Sequence, residues 1–581
     1  MNFIILLFAM LFSSCLSGSG KSSVSDSVEI NGINFKNPDN KLETVNLINY
    51  GAKGLGLSSV KEDTTALRKA IAYLNTKGGG KLYIPNPPKF YAFAGDGVFV
   101  GDNIEIYGDG KGKSEIRNVS PTSGNFLNGP IFLFSTFGPT DNVNIFQTGI
   151  DQYYIQDTKM NETQVVLKNQ NDAAGLVVGE VVVLGSGKFN HGNEKAKSRF
   201  HNMELNEISA IKGNVTEFKY PISVPLVTRN GESPVIVNIN NTKSKNKLLQ
   251  HRNGTSKNIY IHDLTFSQAQ TDELNNNASL GNLRNGLSGI FQPGGAFNSR
   301  FKNLKIDAYG GLDGNMFTRC TFSDIDIKAS KKLIDFGYGG SNDTLQNINW
   351  EFGNSPAAKF ASSFIICNDG THNIVMNNIN AKGNWNGELL LLLSQVRNIV
   401  VNDLTLDFPN YKRANALVLI GDKEGAASKN ITLKNLKITV NTAGTFLRIK
   451  GSNTDDNSNR NITISELYFT GTLLKDQNLP QGLDTANSLK AQKKAQKGKN
   501  KNKGDGLNDD NEGLDYSVYI KNIHGLKLQN VHVSSGDLQF ENCDSCDISE
   551  IVAPASELNV KGSRKDSKFE QLSVKRKNEQ N

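Results

Sequence analysis

One phrase recurs down the second half of the chain: Asn, apolar, any, apolar, any, Asn or Asp, apolar, any, apolar. Clear copies begin at Asn258, Asn298, Asn342, Asn373, Asn398, Asn430 and Asn461, and weaker ones at Arg319, Gly525 and Ser545. The inner polar residue falls at Asp263, Asn303, Asp324, Asn347, Asn378, Asp403, Asn435, Glu466, Asn530 and Glu550. Alternation of apolar with other residues is the signature of a strand with one buried face. An Asn or Asp between two such runs suits a tight bend, because it tolerates left-handed backbone and hydrogen-bonds locally. Each copy therefore predicts strand, bend, strand.

A further apolar run precedes most copies, as in LIDFG before Asn342, SFIICN before Asn373 and TFLRIKG before Asn461. One such unit cannot bury its apolar face, whereas a stack of them can. The pattern predicts a parallel β-helix with equivalent columns about 4.8 Å apart. A leucine-rich solenoid is excluded because no helical pattern lies between the strands. The phrase spans coils over 256–562, with a charged loop at 470–513 and a polar tail at 563–581.

The chain has 581 residues and a net charge of +7, much of it in the basic run 490–503. With no interleaved aromatics, that run predicts a solvated loop rather than a nucleic-acid site. Residues 3–12 are apolar but too short to span a membrane, and Ser13-Ser14-Cys15 follows. This predicts a lipoprotein-type signal over 1–15 with Cys15 lipidated, a tether over 16–44, and a monomer held on a membrane outside a bacterial cytoplasm. Cys543 and Cys546 form a CxxC that lacks the second pair a zinc site needs; a disulfide is the alternative. Cys320 and Cys367 fit buried solenoid positions. Asp455-Asp456 and Asp509-Asp510 are candidate Ca²⁺ ligands, although their spacing matches no EF-hand. No other cofactor is expected.

Residues 45–118 read as an N-terminal cap with the first coils. Asp63 or Thr64 can cap a helix carrying Leu67, Ala70, Ile71 and Leu74, which Gly78-Gly79-Gly80 ends. Tyr50-Gly51-Ala52-Lys53, Asp63-Thr64, Ala70-Ile71, Gly79-Gly80 and Tyr83-Ile84-Pro85 resemble the opening of the pectate-lyase-like superfamily. The acidic GDG…DD usual there is degraded to Gly54-Leu55-Gly56 and Glu62-Asp63. The resemblance implies a right-handed β-helix with a capping helix, and one of several activities: polysaccharide lyase, polygalacturonase-like hydrolase or uronan epimerase. Residues 119–255 lack the repeat and predict an inserted β-rich region beside the early coils.

The run before each phrase is the expected substrate face. With Leu447 and Ile449 inward, Arg448 and Lys450 point outward, as do Tyr519 and Lys521 one turn on. Asp313, Asp335 and Asp369 fall on consecutive turns near Lys331, Lys332, Tyr338, Tyr309, Arg319, Asn368 and His372. Removal of a proton next to a uronate carboxylate needs a base and a neutralising cation, roles open to Lys331, Lys332, Tyr338, Tyr309 and Arg319. Hydrolysis needs a carboxylate pair, open to Asp313, Asp335 and Asp369. Arg448-Ile449-Lys450 matches one element of the polygalacturonase-like pattern, but the other three are absent. The expected function is cleavage of an acidic polysaccharide by β-elimination, with hydrolysis and non-catalytic glycan binding as the alternatives.

Overall fold

The computed structural model describes residues 27–30, 33–36, 42–95, 97–119, 131–134, 152–186, 202–228, 231, 233–239, 255–268, 295–308, 312, 317–329, 334–337, 339–352, 364–367, 370–383, 389–393, 396–413, 416–421, 428–451, 459–473 and 516–575. These residues fold into a right-handed parallel β-helix. Successive phrases pair in parallel and in register: Tyr260–Gln268 on Arg300–Ala308, then Thr321–Ala329, Thr344–Phe352 and His372–Lys382.

The phrase works because of its bends. All ten inner residues are left-handed, with φ between 50° and 59°. The first residue of each copy is left-handed as well, from Asn298 at 48° to Gly525 at 72°. Each copy thus carries two bends, five residues apart. Everything between and after them is extended, so one strand contributes to two faces. We call the half before the inner bend face A, the half after it face B, and the separate short strands, such as Leu447–Lys450, face C.

The Asn residues of the first column also hydrogen-bond up the stack. Asn373 donates to Asn342 (3.0 Å), Asn398 to Asn373 (2.7 Å), Asn430 to Asn398 (2.9 Å) and Asn461 to Asn430 (3.0 Å). Inward residues stack equally regularly, as in the Phe301 and Phe322 rings 4.8 Å apart. One apolar core runs from Val45 to Ala553. Cys320 and Cys367 are buried in it, as the sequence predicts.

The helix Val60–Thr76 closes the N-terminal end, sinking Ala66, Leu67, Ala70, Ile71 and Leu74 into that core. It starts before Asp63, so neither Asp63 nor Thr64 is its cap. Asp63 is instead buried and accepts from Lys53 N, Gly54 N, Ser59 Oγ and Ala92 N, tying the helix to the first coil. At the other end, the strand Lys568–Lys575 pairs with Asp547–Lys561, adding a coil beyond residue 562.

Between coils, the strands of 152–237 form a six-stranded antiparallel sheet with its own apolar core around Ile155, Val182, Leu184 and Ile236. This module interrupts the solenoid between Ile104–Gly108 and Tyr260–Gln268, which nevertheless pair directly. Among the described residues no helix is long and apolar enough to cross a membrane. The signal run, Cys15 and the basic run 490–503 lie outside the described residues.

Candidate active site

Face A changes character along the solenoid. From Thr321 to Ser465 its outward residues are neutral apart from Lys434, as at Thr344, Gln346, Asn377 and Asn402, and charge returns at Lys527 and Asp547. On the earlier coils they are Lys81 and Tyr83, Glu105 and Tyr107, Tyr260 and His262, then Arg300 and Lys302, in register. A cavity of about 330 Å³ opens there, lined by Tyr260, His262, Asp263, Lys302, Asn303 and Asp324.

His262 is the centre of this cluster. Its Nδ1 lies 2.7 Å from Asp263 Oδ2 and its Nε2 lies 3.1 Å from Glu105 Oε1. The other Glu105 oxygen is 3.0 Å from Lys81 Nζ. The imidazole stacks on Tyr260 at 4.1 Å and on Tyr107 at 5.5 Å. Rings stacked along the solenoid spend their faces on one another and present their edges, so the hydroxyl and ring nitrogens are what face outward.

The electrostatics follow from these contacts. Burial opposes ionisation of Asp263, but hydrogen bonds from Asn303 and His262 outweigh it and hold the carboxyl below its ordinary range. Glu105 is likewise held low, by His262 and Lys81 against burial. Burial pushes the Tyr260 phenol up, with Arg300 opposing; the Arg300 guanidinium lies 5.0 Å over its ring. Tyr260 therefore stays a proton donor at neutral pH, and its hydroxyl has no hydrogen-bond partner among the described residues.

Two walls flank the groove. At the face A–B bend, the glycine-rich turn 109–113 reaches across the coils. Gly110 N donates to Asp263 O at 3.1 Å, and Lys111 Nζ sits 2.6 Å from Asp326 Oδ2. At the opposite bend stands the inserted module. Lys257 Nζ meets Glu207 at 2.8 Å, and the Arg319 guanidinium covers the Tyr220 ring at 4.0 Å.

The module also brings Ser223 Oγ to 2.8 Å from His372 Nε2, with Glu204 bonded to the same hydroxyl. This trio has the members of a hydrolase triad in a different arrangement. The carboxylate that should orient Nδ1 is on the serine side, and Nδ1 instead faces Gly370 O at 2.9 Å. His372 and Glu204 are buried, so the trio fastens the module to the solenoid.

The expected site residues are placed differently from the strip that the sequence predicts. His372 is sealed in this interface and is not open to a ligand, because the module covers its coil. Arg319 occupies a left-handed bend against Tyr220, away from face C. Arg448 and Tyr519 do lie side by side on face C, but Arg448 is 8% exposed and Tyr519 1%, so neither is displayed. Lys450 pairs in register with Lys521, which meets Glu541 at 3.2 Å. Asp335 lies in the strand Ile334–Phe336; its side chain, and Tyr309, Asp313, Lys331, Lys332, Tyr338, Asn368 and Asp369, lie outside the described residues, as do the candidate calcium loops. Among the described residues no group of three or more His, Cys, Asp and Glu could hold a metal ion.

The groove residues carried a signal in the repeat itself. NIYIHDLTF is the copy whose outward positions hold Tyr and His, an aromatic pair that no other copy of the phrase carries.

No protein-family model matches the chain, and no curated protein matches it. Similar solved structures include the tailspike protein gp49 from Pseudomonas phage LKA1 (11% identity, 91% of this chain and 81% of that one, TM-score 0.48). The mannuronan C-5 epimerase AlgE6 A-module of Azotobacter vinelandii is another (12%, 92% and 100%, TM-score 0.35). A third is the Streptococcus pneumoniae surface protein and adhesin PfbA (12%, 92% and 100%, TM-score 0.36). Likeness at this level adds nothing to the chemistry of the groove.

Proposed function

We propose that the chain is a carbohydrate-active enzyme that cleaves an acidic polysaccharide by β-elimination in the face A groove. The observation that carries this is the convergence of Tyr260, the His262–Asp263 pair and Lys302 in one cavity. Elimination beside a uronate carboxylate needs a base for the α-proton, a cation for the charge that builds on the carboxylate, and an acid for the departing oxygen. Lys302 supplies the cation. Asp263 fixes His262 through Nδ1 and leaves Nε2 as the base, the logic of a carboxylate–imidazole pair. Nε2 sheds to water the proton it shares with Glu105 as substrate displaces that carboxylate, which frees the nitrogen's lone pair, and Glu105 keeps Lys81 as its partner. The Tyr260 hydroxyl protonates the leaving glycosidic oxygen as the C–O bond breaks and the double bond forms.

Hydrolysis fits less well. Asp263 and Asp324 both line the cavity two coils apart, about 10 Å, at the outer edge for an inverting pair. Asp263 is held ionised, so only the base's role in such a pair is open to it.

The test is product mass on a panel of uronate-bearing glycans. Elimination gives oligosaccharides lighter by one water than hydrolysis products; products at the hydrolytic mass overturn the assignment. The same proposal places the enzyme outside the cytoplasm on a Cys15 lipid anchor. Cys15→Ser should move it from the membrane to the soluble fraction, and an unchanged distribution rejects the anchor.

A further inference from the structure

The C-terminal end of the solenoid holds a thiol pair that the groove does not use. Cys543 lies near the end of the strand Asp537–Asp544, and Cys546 immediately precedes Asp547–Lys561. Between them Ser545 is left-handed, with φ 52°. The chain bends there and both thiols enter the same core, where they interact with each other; Cys543 Sγ also donates to Glu541 O (3.8 Å) and Cys546 Sγ to Asp544 O (3.3 Å). Both residues are 1% exposed and both thiols are free.

We propose that Cys543 and Cys546 are a modification site that closes to an intramolecular disulfide by exchange with a small external disulfide such as oxidised glutathione. Opposed acidities support the division of labour. The hydrogen bond from Cys543 holds the Cys546 thiol below its ordinary range against burial, while that bond and burial push Cys543 up. Such an asymmetry marks an attacking and a resolving thiol. The Cys546 thiolate attacks one sulfur of the external disulfide, whose S–S bond breaks and whose other sulfur leaves as a thiolate. Cys543 gives its proton to that thiolate and then attacks Cys546 Sγ, releasing the second small thiol after proton uptake from water. Two cysteine thiols are oxidised and one external disulfide is reduced to two thiols.

Access is set by the last coil, which lies over the pair. Cys543 N donates to Ser563 O (2.9 Å), Cys546 N to Ser567 Oγ (3.0 Å) and Lys568 N to Cys546 O (2.8 Å). Terminal units of a solenoid open before its middle, so exchange proceeds when 563–575 lifts, or before it docks during folding. The closed disulfide then fixes the turn on which that coil packs.

The experiment treats the full-length protein with oxidised glutathione, then denatures, alkylates and digests it with trypsin for mass analysis. The peptide holding both cysteines should be unalkylated and lighter by two hydrogens, and doubly alkylated in a reduced control. In Cys543→Ala, the resolving thiol is gone and Cys546 should retain glutathione. Double alkylation in the oxidised sample, or pairing of either cysteine with Cys15, Cys320 or Cys367, overturns the proposal. So does a Cys543→Ala chain with no glutathione on Cys546. No outcome depends on the groove being catalytic.

Discussion

His262 Nδ1 lies 2.7 Å from Asp263 Oδ2, although neighbours in a strand point to opposite faces. The contact exists because Asp263 is left-handed, with φ 57°, which turns its carboxylate back beside the imidazole. A residue type chosen for a bend thereby becomes the orienting partner of the proposed base. Asn fills the same bend in the coil that follows, at Asn303, so Asp263→Asn should leave the scaffold intact. The expected effect is a fall in kcat of roughly 10²-fold or more with KM little changed. Unchanged kcat would remove Asp263 from the machinery.

Lys302 is the cation of the cavity. Lys302→Gln should cost kcat/KM about 10- to 100-fold, the worth of one hydrogen bond to a charged group. The loss should vanish on a glycan whose carboxylates are esterified, as steady-state kinetics on the two substrates would show.

Asn398 joins two requirements of the scaffold: a left-handed φ of 52°, and side-chain hydrogen bonds, one donated to Asn373 and one accepted from Asn430. Asn398→Ala loses both and should cost about 2–4 kcal/mol. Asn398→Gly restores the backbone freedom and should cost less. Denaturant unfolding of the three proteins would compare them; equal stability of the two variants would deny the backbone term.

Asp343 is fully buried in the solenoid, where its Oδ1 accepts from Cys320 N at 2.7 Å. Burial raises its carboxyl well above the ordinary range, and the Cys320 amide and Arg319 only partly oppose this. The folded state therefore keeps the proton after the unfolded chain has released it at about pH 4. Its contribution to stability is full below that pH and falls as pH rises toward the folded value, by about 1.4 kcal/mol per unit. Asp343→Asn keeps an acceptor for Cys320 and does not titrate. Its Tm relative to the parent should therefore rise from pH 4 to pH 7; a constant difference would contradict the neutral carboxyl.

The inner column from Asp263 to Glu550 was legible because left-handed backbone restricts the side chain, and the restriction repeats. The first Asn of each phrase is the same kind of bend, but it opens a strand rather than interrupting one, so alternation alone did not mark it. The groove was hidden for a different reason. Glu105 and His262 are 157 residues apart, and the inserted module separates their coils in sequence while the solenoid stacks them in space. The outward phase on face C was legible at Arg448 and Tyr519. Their burial was not, because alternation assigns a side chain to a face and says nothing of what covers that face.

The most direct test of the proposed chemistry is the ultraviolet absorbance of an unsaturated uronate, followed while the protein is incubated with a uronate polysaccharide. Absorbance should grow with the parent chain, and should fall to background with Tyr260→Phe and with His262→Ala while both variants retain glycan binding. Growth of reducing ends without absorbance, or undiminished absorbance in both variants, would contradict the account.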